Sequence, residues 1–545
     1  MASGRAAMNI LFVMYGDFTS NSMVPLALHA NTLQRHGHAC AVAIPESTDS
    51  SSSADPGFRA LPYGDVLRSP ESAFADGQPA DVIHAWTPRE NVRQFVTAYM
   101  AQRPTPLVVY LEDHELWITT QMLGLGEEAL AHETEAQIAG RMPLALSHPY
   151  RYRSLIGLAD AVAVIQDKLR GEVPPWVRCE TVLPPVDLQL FSPRAPDFEL
   201  RRRHGIADDE RVIVYPGGLN SITRESIRTL VQAVCLLNER GVRCRLLRTG
   251  PFALDFLDEL PPSCAGAVID LGLIERRALP ELLSLADVFV QPGQLDPFED
   301  LRLPGKLPEL LAMSRPVIMP PANIAHMFHD GVDAVIMQTG TAGEIAAKCE
   351  ALFADPLRAD AIGRAARRFA EQHFDADLQA SRLSAVYDAA IAEFDPNVAS
   401  QVWTADAPTR PIATLLARKL RCIASARSSL ADLSNSRMLL EHANEMDLAQ
   451  ARVAALEERV ESDQAQLAEM RRALQSQEAE RALVAEAVAR FERLEAAFNE
   501  RDDRLAKLTH ALDQHAAQLR DIVGSRSWRW TRPLRSFFAR FIGTR

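Results

Sequence analysis

The chain has 545 residues, more than one hydrophobic core usually supports, so two or three domains are expected. Apolar residues make up 47% and charged residues 24%, both ordinary for a soluble globular protein. The net charge of −13 argues against a nucleic-acid binder that works through its whole surface, and otherwise speaks mostly of solubility.

Near the start, Arg5 precedes the apolar run Ile10-Leu11-Phe12-Val13-Met14. That run is too short for a signal peptide and leads into Tyr15-Gly16-Asp17 with no small-residue cleavage site, so it reads as a first buried strand. Apolar runs at 39–44, 81–84, 107–111 and 161–165 continue the series. Helical spacing over 25–36 stops at Gly37. The polar stretch 47–53 reads as a surface loop. After the proline-rich connection 186–194 the pattern restarts, with strand candidates at 212–215, 244–248, 267–271, 288–291, 316–319 and 334–337. Helices fit 228–240, 279–285, 307–313, 342–353 and 358–373. Alternating strands and helices predict two doubly wound α/β domains in series, at 8–190 and 191–394, with a ligand crevice at the carboxyl ends of both sheets.

A linker over 395–432 then gives way to a segment without glycine or proline until Gly524. Leu439, Met446, Val453, Val460, Leu467 and Leu474 recur every seven residues, as do Phe491, Phe498, Leu505, Leu512 and Leu519. The two series are offset by a stammer, and together they predict a parallel dimeric coiled coil over 433–523, roughly 130 Å long at 1.5 Å per residue. A single unpaired helix is the alternative. The tail 524–545 combines six arginines, no acid, and Trp528, Trp530, Phe537, Phe538 and Phe541. It suits an anionic membrane surface, or docking on the acidic body of its own chain. No stretch reaches the roughly 18 apolar residues that span a bilayer.

The seven cysteines, Cys40, Cys179, Cys235, Cys244, Cys264, Cys349 and Cys422, are scattered and form no CxxC pair. Reduced thiols, with neither a zinc site nor a disulfide framework, are the expectation. Asp208-Asp209 and Asp502-Asp503 lie outside any suitable loop, so no metal is predicted.

Several segments resemble the family 4 glycosyltransferases over about residues 9–394. GHACAVAIP (37–45) looks like the family's second strand, LADAVAVIQDKLR (158–170) like its strand and helix before the crossover, and LPPVDLQLFSP (183–193) like its PNGVDLERFxP linker. VIDLGLIERRALPELLSLADVFVQPG (268–293), which holds Ile274, is similar to the stretch leading to the family's acidic sugar-binding loop. LPGKLPELLAMSRPVIMP (303–320) is similar to its signature helix. The resemblance implies a GT-B fold: two Rossmann-like domains facing a cleft, here followed by the coiled coil. It also implies a cytoplasmic retaining enzyme that moves a sugar from a nucleotide-sugar donor to a glycan, lipid-linked or protein acceptor in bacterial surface glycan synthesis. No cofactor and no nucleic-acid partner are implied; a homodimer, held peripherally at the inner face of the plasma membrane, is expected from coil and tail.

Residue by residue, Gly305 and Lys306 open a helix after Pro304. The helix start and the Lys306 ammonium can meet a leaving diphosphate, whose growing negative charge requires fixed positive partners. Glu309 lies about one turn on and shares a face with Lys306, placed to accept from the two ribose hydroxyls. The resemblance puts a second acid eight positions before Glu309, but Leu301 stands there. Asp296 is the aligned candidate for the donor sugar, with Glu299 and Asp300 as rivals. After Tyr215-Pro216, Gly217 and Gly218 occupy the place of the family's Gly-Arg. Arg224 stands in for the following lysine, and Arg248, just before Gly250, is the candidate for restoring the missing charge; a packed structural arginine is the equal alternative. In the first half, Glu112-Asp113-His114-Glu115 follows a strand. His114 is expected to touch sugar or acceptor, with Asp113 orienting it, and Gly16 to admit the diphosphate to the backbone. His148 and 150–153 are placed at the acceptor edge. A degenerate transferase serving as a coiled-coil scaffold is the rival reading.

Overall fold

The computed structural model describes residues 7–46, 57–126, 130, 135–149, 151–219, 223–251, 256, 264, 266–293, 296–396, 399–400, 403, 490, 493–497, 499–504 and 506–510. The chain divides into two compact units, Met1–Thr409 and Arg410–Arg545.

The first unit holds two sheets in which every strand pair is parallel. One is built from β1 (Asn9–Met14), β2 (Ala39–Ile44), β3 (Arg59–Pro62), β4 (Val82–Trp86), β5 (Leu107–Leu111), β6 (Ala161–Val164) and β7 (Arg178–Thr181), in the order β3-β2-β1-β4-β5-β6-β7. The other holds β8 (Arg211–Pro216), β9 (Cys244–Thr249), β10 (Val268–Asp270), β11 (Val288–Val290), β12 (Val317–Met319) and β13 (Val335–Ile336), in the order β10-β9-β8-β11-β12-β13. All residues of β1, β4, β5, β6 and β11 are buried, as parallel strands covered on both faces must be. The order reverses between β1 and β4 and between β8 and β11, and the connections leaving those strands carry Gly16, Gly217, Gly218, Asp296, Gly305 and Lys306.

The helices that position the site are α1 (Met23–Arg35), α2 (Glu90–Gln102), α3 (Glu115–Leu123), α4 (Arg224–Glu239), α5 (Leu279–Ser284), α6 (Pro297–Leu301), α7 (Leu307–Ala312), α8 (Ala342–Ala354), α9 (Pro356–His373) and α10 (Ala376–Glu393). α10 leaves the second domain and packs on α1, β5 and β6 of the first. There Tyr387 reaches His84 Nδ1 at 2.8 Å and Asp377 meets His36 Nε2 at 2.8 Å. The two crossings run side by side: the Val186 amide donates to the Phe374 carbonyl at 2.8 Å. Arg367 ties them together, with Nη1 donating to the carbonyls of Phe191 (2.7 Å) and Ala312 (2.9 Å). A single division at 190/191 therefore understates the first domain, which takes a second piece of chain from beyond residue 375.

Cys235 and Cys264 are disulfide-bonded, with Cα atoms 5.1 Å apart. This corrects the expectation of seven reduced thiols. Helix α4 aims Cys235 at the connection after β9, a proximity across 29 residues that spacing does not reveal. The 47–53 loop, the 395–432 linker (apart from 395–396, 399–400 and 403) and the 524–545 tail fall outside the described residues, as does most of the coiled coil expected over 433–523. Its described residues, between 490 and 510, are helical, with Lys507 reaching Asp503 four positions back at 3.1 Å. Pairing of that helix is not shown by them. Among the described residues no helix is long and apolar enough to cross a membrane.

Candidate active site

At the carboxyl end of β8 the backbone of Gly217 runs beneath Lys306. The Lys306 ammonium lies 4.5 Å from the Tyr215 ring centroid and 3.1 Å from its hydroxyl, so ring and hydroxyl together fix a cation at the sheet edge. Glycine is required at 217: a Cβ there would come within 2.7 Å of the Tyr215 ring and 2.8 Å of Lys306 Nζ. Gly250, with φ of 127°, packs its Cα on the Gly217–Gly218 backbone, and its amide donates to the Gly272 carbonyl at 2.7 Å. Gly305 is exposed and precedes Lys306. Helix α7 holds only six residues, so positive charge at this edge comes from the Lys306 side chain more than from a helix dipole.

Arg248 does not restore the missing charge. It is fully buried, and its Nη1 grips both oxygens of Asp270 at 3.0 and 2.8 Å, while Nε donates to the Gly217 carbonyl and Nη2 to that of Pro251. Asp270 is its partner across the β9–β10 pairing, so the arginine is a neutralised brace beneath the glycine loop. At 218 an added Cβ would meet the Pro251 ring at 2.9 Å, which accounts for glycine where arginine was expected. Arg224 opens α4 with its guanidinium 5.4 Å from the Phe256 ring centroid.

The acidic loop after β11 sorts its three carboxylates by what they already bind. Asp296 is exposed and caps α6, accepting from the amides of Phe298 (2.9 Å) and Glu299 (2.8 Å). Asp300 takes the ammonium of Lys168 and the amide of Asn323, and its carbonyl accepts from Gln166 Nε2 at 2.8 Å. Glu299 is buried, pairs with Arg302 at 3.1 Å, and keeps one carboxylate oxygen without a hydrogen bond. Burial raises its pKa; Arg302 opposes this, Asp296 adds to it, and Lys306 opposes it. Asp296 thus spends one oxygen, Oδ1, on its helix, and Glu299 keeps one buried oxygen unpaired.

Glu309 lies on α7 with its side chain 10% exposed and paired to Arg276 Nη2 at 2.6 Å. Arg276, just after the partly buried Ile274, also lies 5.2 Å above the Phe191 ring in the crossover. Sequence reasoning passed over Arg276 and Arg302. The Glu275-Arg276-Arg277 run was visible, but its direction was not.

In the first domain, Glu112 accepts from Trp86 Nε1 at 2.8 Å and from the Ser22 hydroxyl. Its pKa is pushed up to about 7, by burial above all. Glu115 accepts from the Ser147 hydroxyl at 2.6 Å and pairs with Arg89 at 3.2 Å. Burial likewise raises Asp113, with Arg89 and then Arg302 holding it down. His114 Nδ1 accepts from the Trp117 amide at 3.1 Å, so the ring is oriented by α3's first turn, and no described hydrogen bond links it to Asp113. In the neutral ring the proton then sits on Nε2, which lies 3.9 Å from Glu172. Gly16 follows β1 beside this network, with a built Cβ 3.3 Å from Ser20. His148 is buried; Tyr150 lies outside the described residues. The two domains touch where Trp117 stacks on Phe298 at 3.8 Å and Lys168 meets Asp300.

Residues 210–355 match the family model described as Glycosyl transferases group 1. A curated relative, the putative glycosyltransferase EpsD of Bacillus subtilis (strain 168), is 27% identical over 192 residues, 34% of this chain and 48% of its own. The chain thus spans about half the length of that relative. Among solved structures, Anabaena Alr3699/HepE in complex with UDP and glucose superposes with a TM-score of 0.53 at 15% identity, covering 70% of this chain and 99% of that one. WaaG, a glycosyltransferase involved in lipopolysaccharide biosynthesis, gives 0.51 at 14% identity, over 69% and 99%. Residues 210–355 are thus similar to a group 1 glycosyltransferase domain, and the paired sheets form a GT-B fold.

Proposed function

We propose that this chain, with its group 1 glycosyltransferase domain on a GT-B fold, transfers a sugar from a nucleoside-diphosphate sugar to a hydroxyl acceptor with retention. The observation that carries the reading is the grouping of Lys306, Glu309 and Glu299 on neighbouring elements at the carboxyl edge of the second sheet. Lys306, already desolvated against Tyr215, meets the charge that develops on the departing diphosphate. Glu309 accepts from the ribose, and Glu299, in place of Asp296, accepts from a hydroxyl of the donor sugar. Gly16 and Gly305 leave backbone open toward the nucleotide, Gly217, Gly218 and Gly250 shape the close-packed loop beneath it, Arg224 adds charge, and Ile274 borders the base. His114 Nε2 faces the sugar or acceptor. The leaving phosphate takes the acceptor's proton as the new bond forms on the face the nucleotide vacates.

Service in polysaccharide or lipopolysaccharide synthesis is supported by the kind of relatives found, and a UDP-sugar is the first donor to test because HepE was solved with UDP and glucose. The coil and tail would pair two copies and hold them to an anionic membrane. The second reading, a degenerate scaffold, draws on Gly218 and on Arg248 being consumed by Asp270. A panel of labelled UDP-, GDP-, ADP- and TDP-sugars separates the two. Binding and transfer by the full chain, both lost in Lys306→Ala, are expected; no binding by the wild type would leave only the scaffold.

A further inference from the structure

We infer that Arg276 is a positioning residue for Glu309, and that through Glu309 it gives the site its discrimination between ribose and 2′-deoxyribose. The inference rests on the proposed ribose contact of Glu309.

A glutamate has three rotatable side-chain bonds, and burial on a six-residue helix confines the Glu309 side chain without by itself fixing how its carboxylate is turned. Here one oxygen is pinned by Arg276 Nη2 at 2.6 Å, with the pair only partly exposed (24% for Arg276, 10% for Glu309). Among the described residues neither the second carboxylate oxygen nor the rest of the Arg276 guanidinium has a hydrogen-bond partner. The guanidinium is restrained from following the carboxylate outward by its cation–π contact, Cζ lying 5.2 Å from the ring centroid of Phe191, which is fully buried in the crossover. A planar, permanently charged group clamped against an aromatic ring is a rigid anchor, as a lysine in its place would not be. One oxygen is therefore held and one is offered. An ionised acceptor fixed in that way rewards a ligand hydroxyl by more than a mobile, solvated one does, since no ordering remains to be done on binding.

This predicts a ratio. Titration calorimetry on the full chain with UDP, GDP and ADP identifies a nucleotide that binds, and its 2′-deoxy counterpart is then measured beside it. The wild type is expected to favour the ribonucleotide by about tenfold. Arg276→Ala should cut that ratio to about twofold, Arg276→Lys should keep part of it, and Arg276→Ala added to Glu309→Gln should change nothing further. A ratio unchanged or increased in Arg276→Ala overturns the inference, the increase because Arg276 would then be a competitor for Glu309. If no nucleotide binds the wild type, or if ribose and deoxyribose forms bind it equally, the proposed function or its ribose contact fails instead. A merely structural arginine would weaken both nucleotides alike and leave the ratio intact.

Discussion

The two faces of the crevice carry similar charged side chains but use them differently. On the first domain, Glu112, Glu115, Arg89, Ser22, Trp86 and Ser147 are buried and bond mainly to one another, with Glu115 Oε1 left without a hydrogen-bond partner. On the second, Lys306, Glu309 and Glu299 each have one charged or hydroxyl partner and an atom to spare. The difference is one of degree: the charges at a strand end are open to a ligand only so far as their neighbours leave them unpaired. Arg248 makes the same point inside the second domain: adjacent to the glycine loop, it is buried and held by Asp270 and two carbonyls.

Five substitutions can break or sharpen that comparison. Lys306→Ala should lower kcat/KM for sugar transfer by about a thousandfold, roughly 4 kcal/mol, with little change in unfolding temperature. Loss of stability equal to the loss of activity would make it another brace. Arg248→Ala should do the reverse: about 3 kcal/mol of stability in urea titration, because Asp270 and two carbonyls lose their donor together. Full stability in that variant would contradict its place among the saturated groups.

Glu112 tests the first domain through pH. Burial lifts its pKa from 4.5 to about 7 on folding, so its contribution to stability is fully present below about pH 4.5 and is lost as pH rises through 7. Glu112→Gln, which keeps the shape and the Trp86 acceptor, should therefore gain on the wild type between pH 5 and 8, by up to about 3 kcal/mol. Parallel stability curves for the two proteins would remove the buried-acid argument. The smallest effects belong to the acidic loop. Glu299→Gln should cost about tenfold in kcat/KM. Asp296→Ala should cost about 1 kcal/mol of stability through the lost cap, with activity within a few-fold; the opposite order of activities would return the sugar contact to Asp296.

Where the chain is buried on both faces, its sequence was readable: the continuous apolar runs at 10–14, 39–44 and 107–111 match β1 from its second residue, and β2 and β5 residue for residue. The edge strands β3 (RALP) and β7 (RCET) are short and polar, so no run announces them. Helix α2 hides its core face behind the buried Glu90–Arg93 pair. α10 is a helix anywhere, and only its partners place it on the first sheet. In the site, Lys306 and Glu309 stood out because their spacing is local. Asp296 was read as an acid alone, whereas Asp-Pro at a helix start is a capping signal as well. Arg248's fate hung on the register of β9 against β10, which no local pattern encodes.

Hydrogen exchange on the full chain, with and without the nucleoside diphosphate that binds it, bears most directly on the central claim. The account predicts that bound nucleotide protects amides around 272–277 and 305–311 together, on the two segments joined by Arg276 and Glu309. Protection confined to other surfaces, or none at saturating nucleotide, would contradict it.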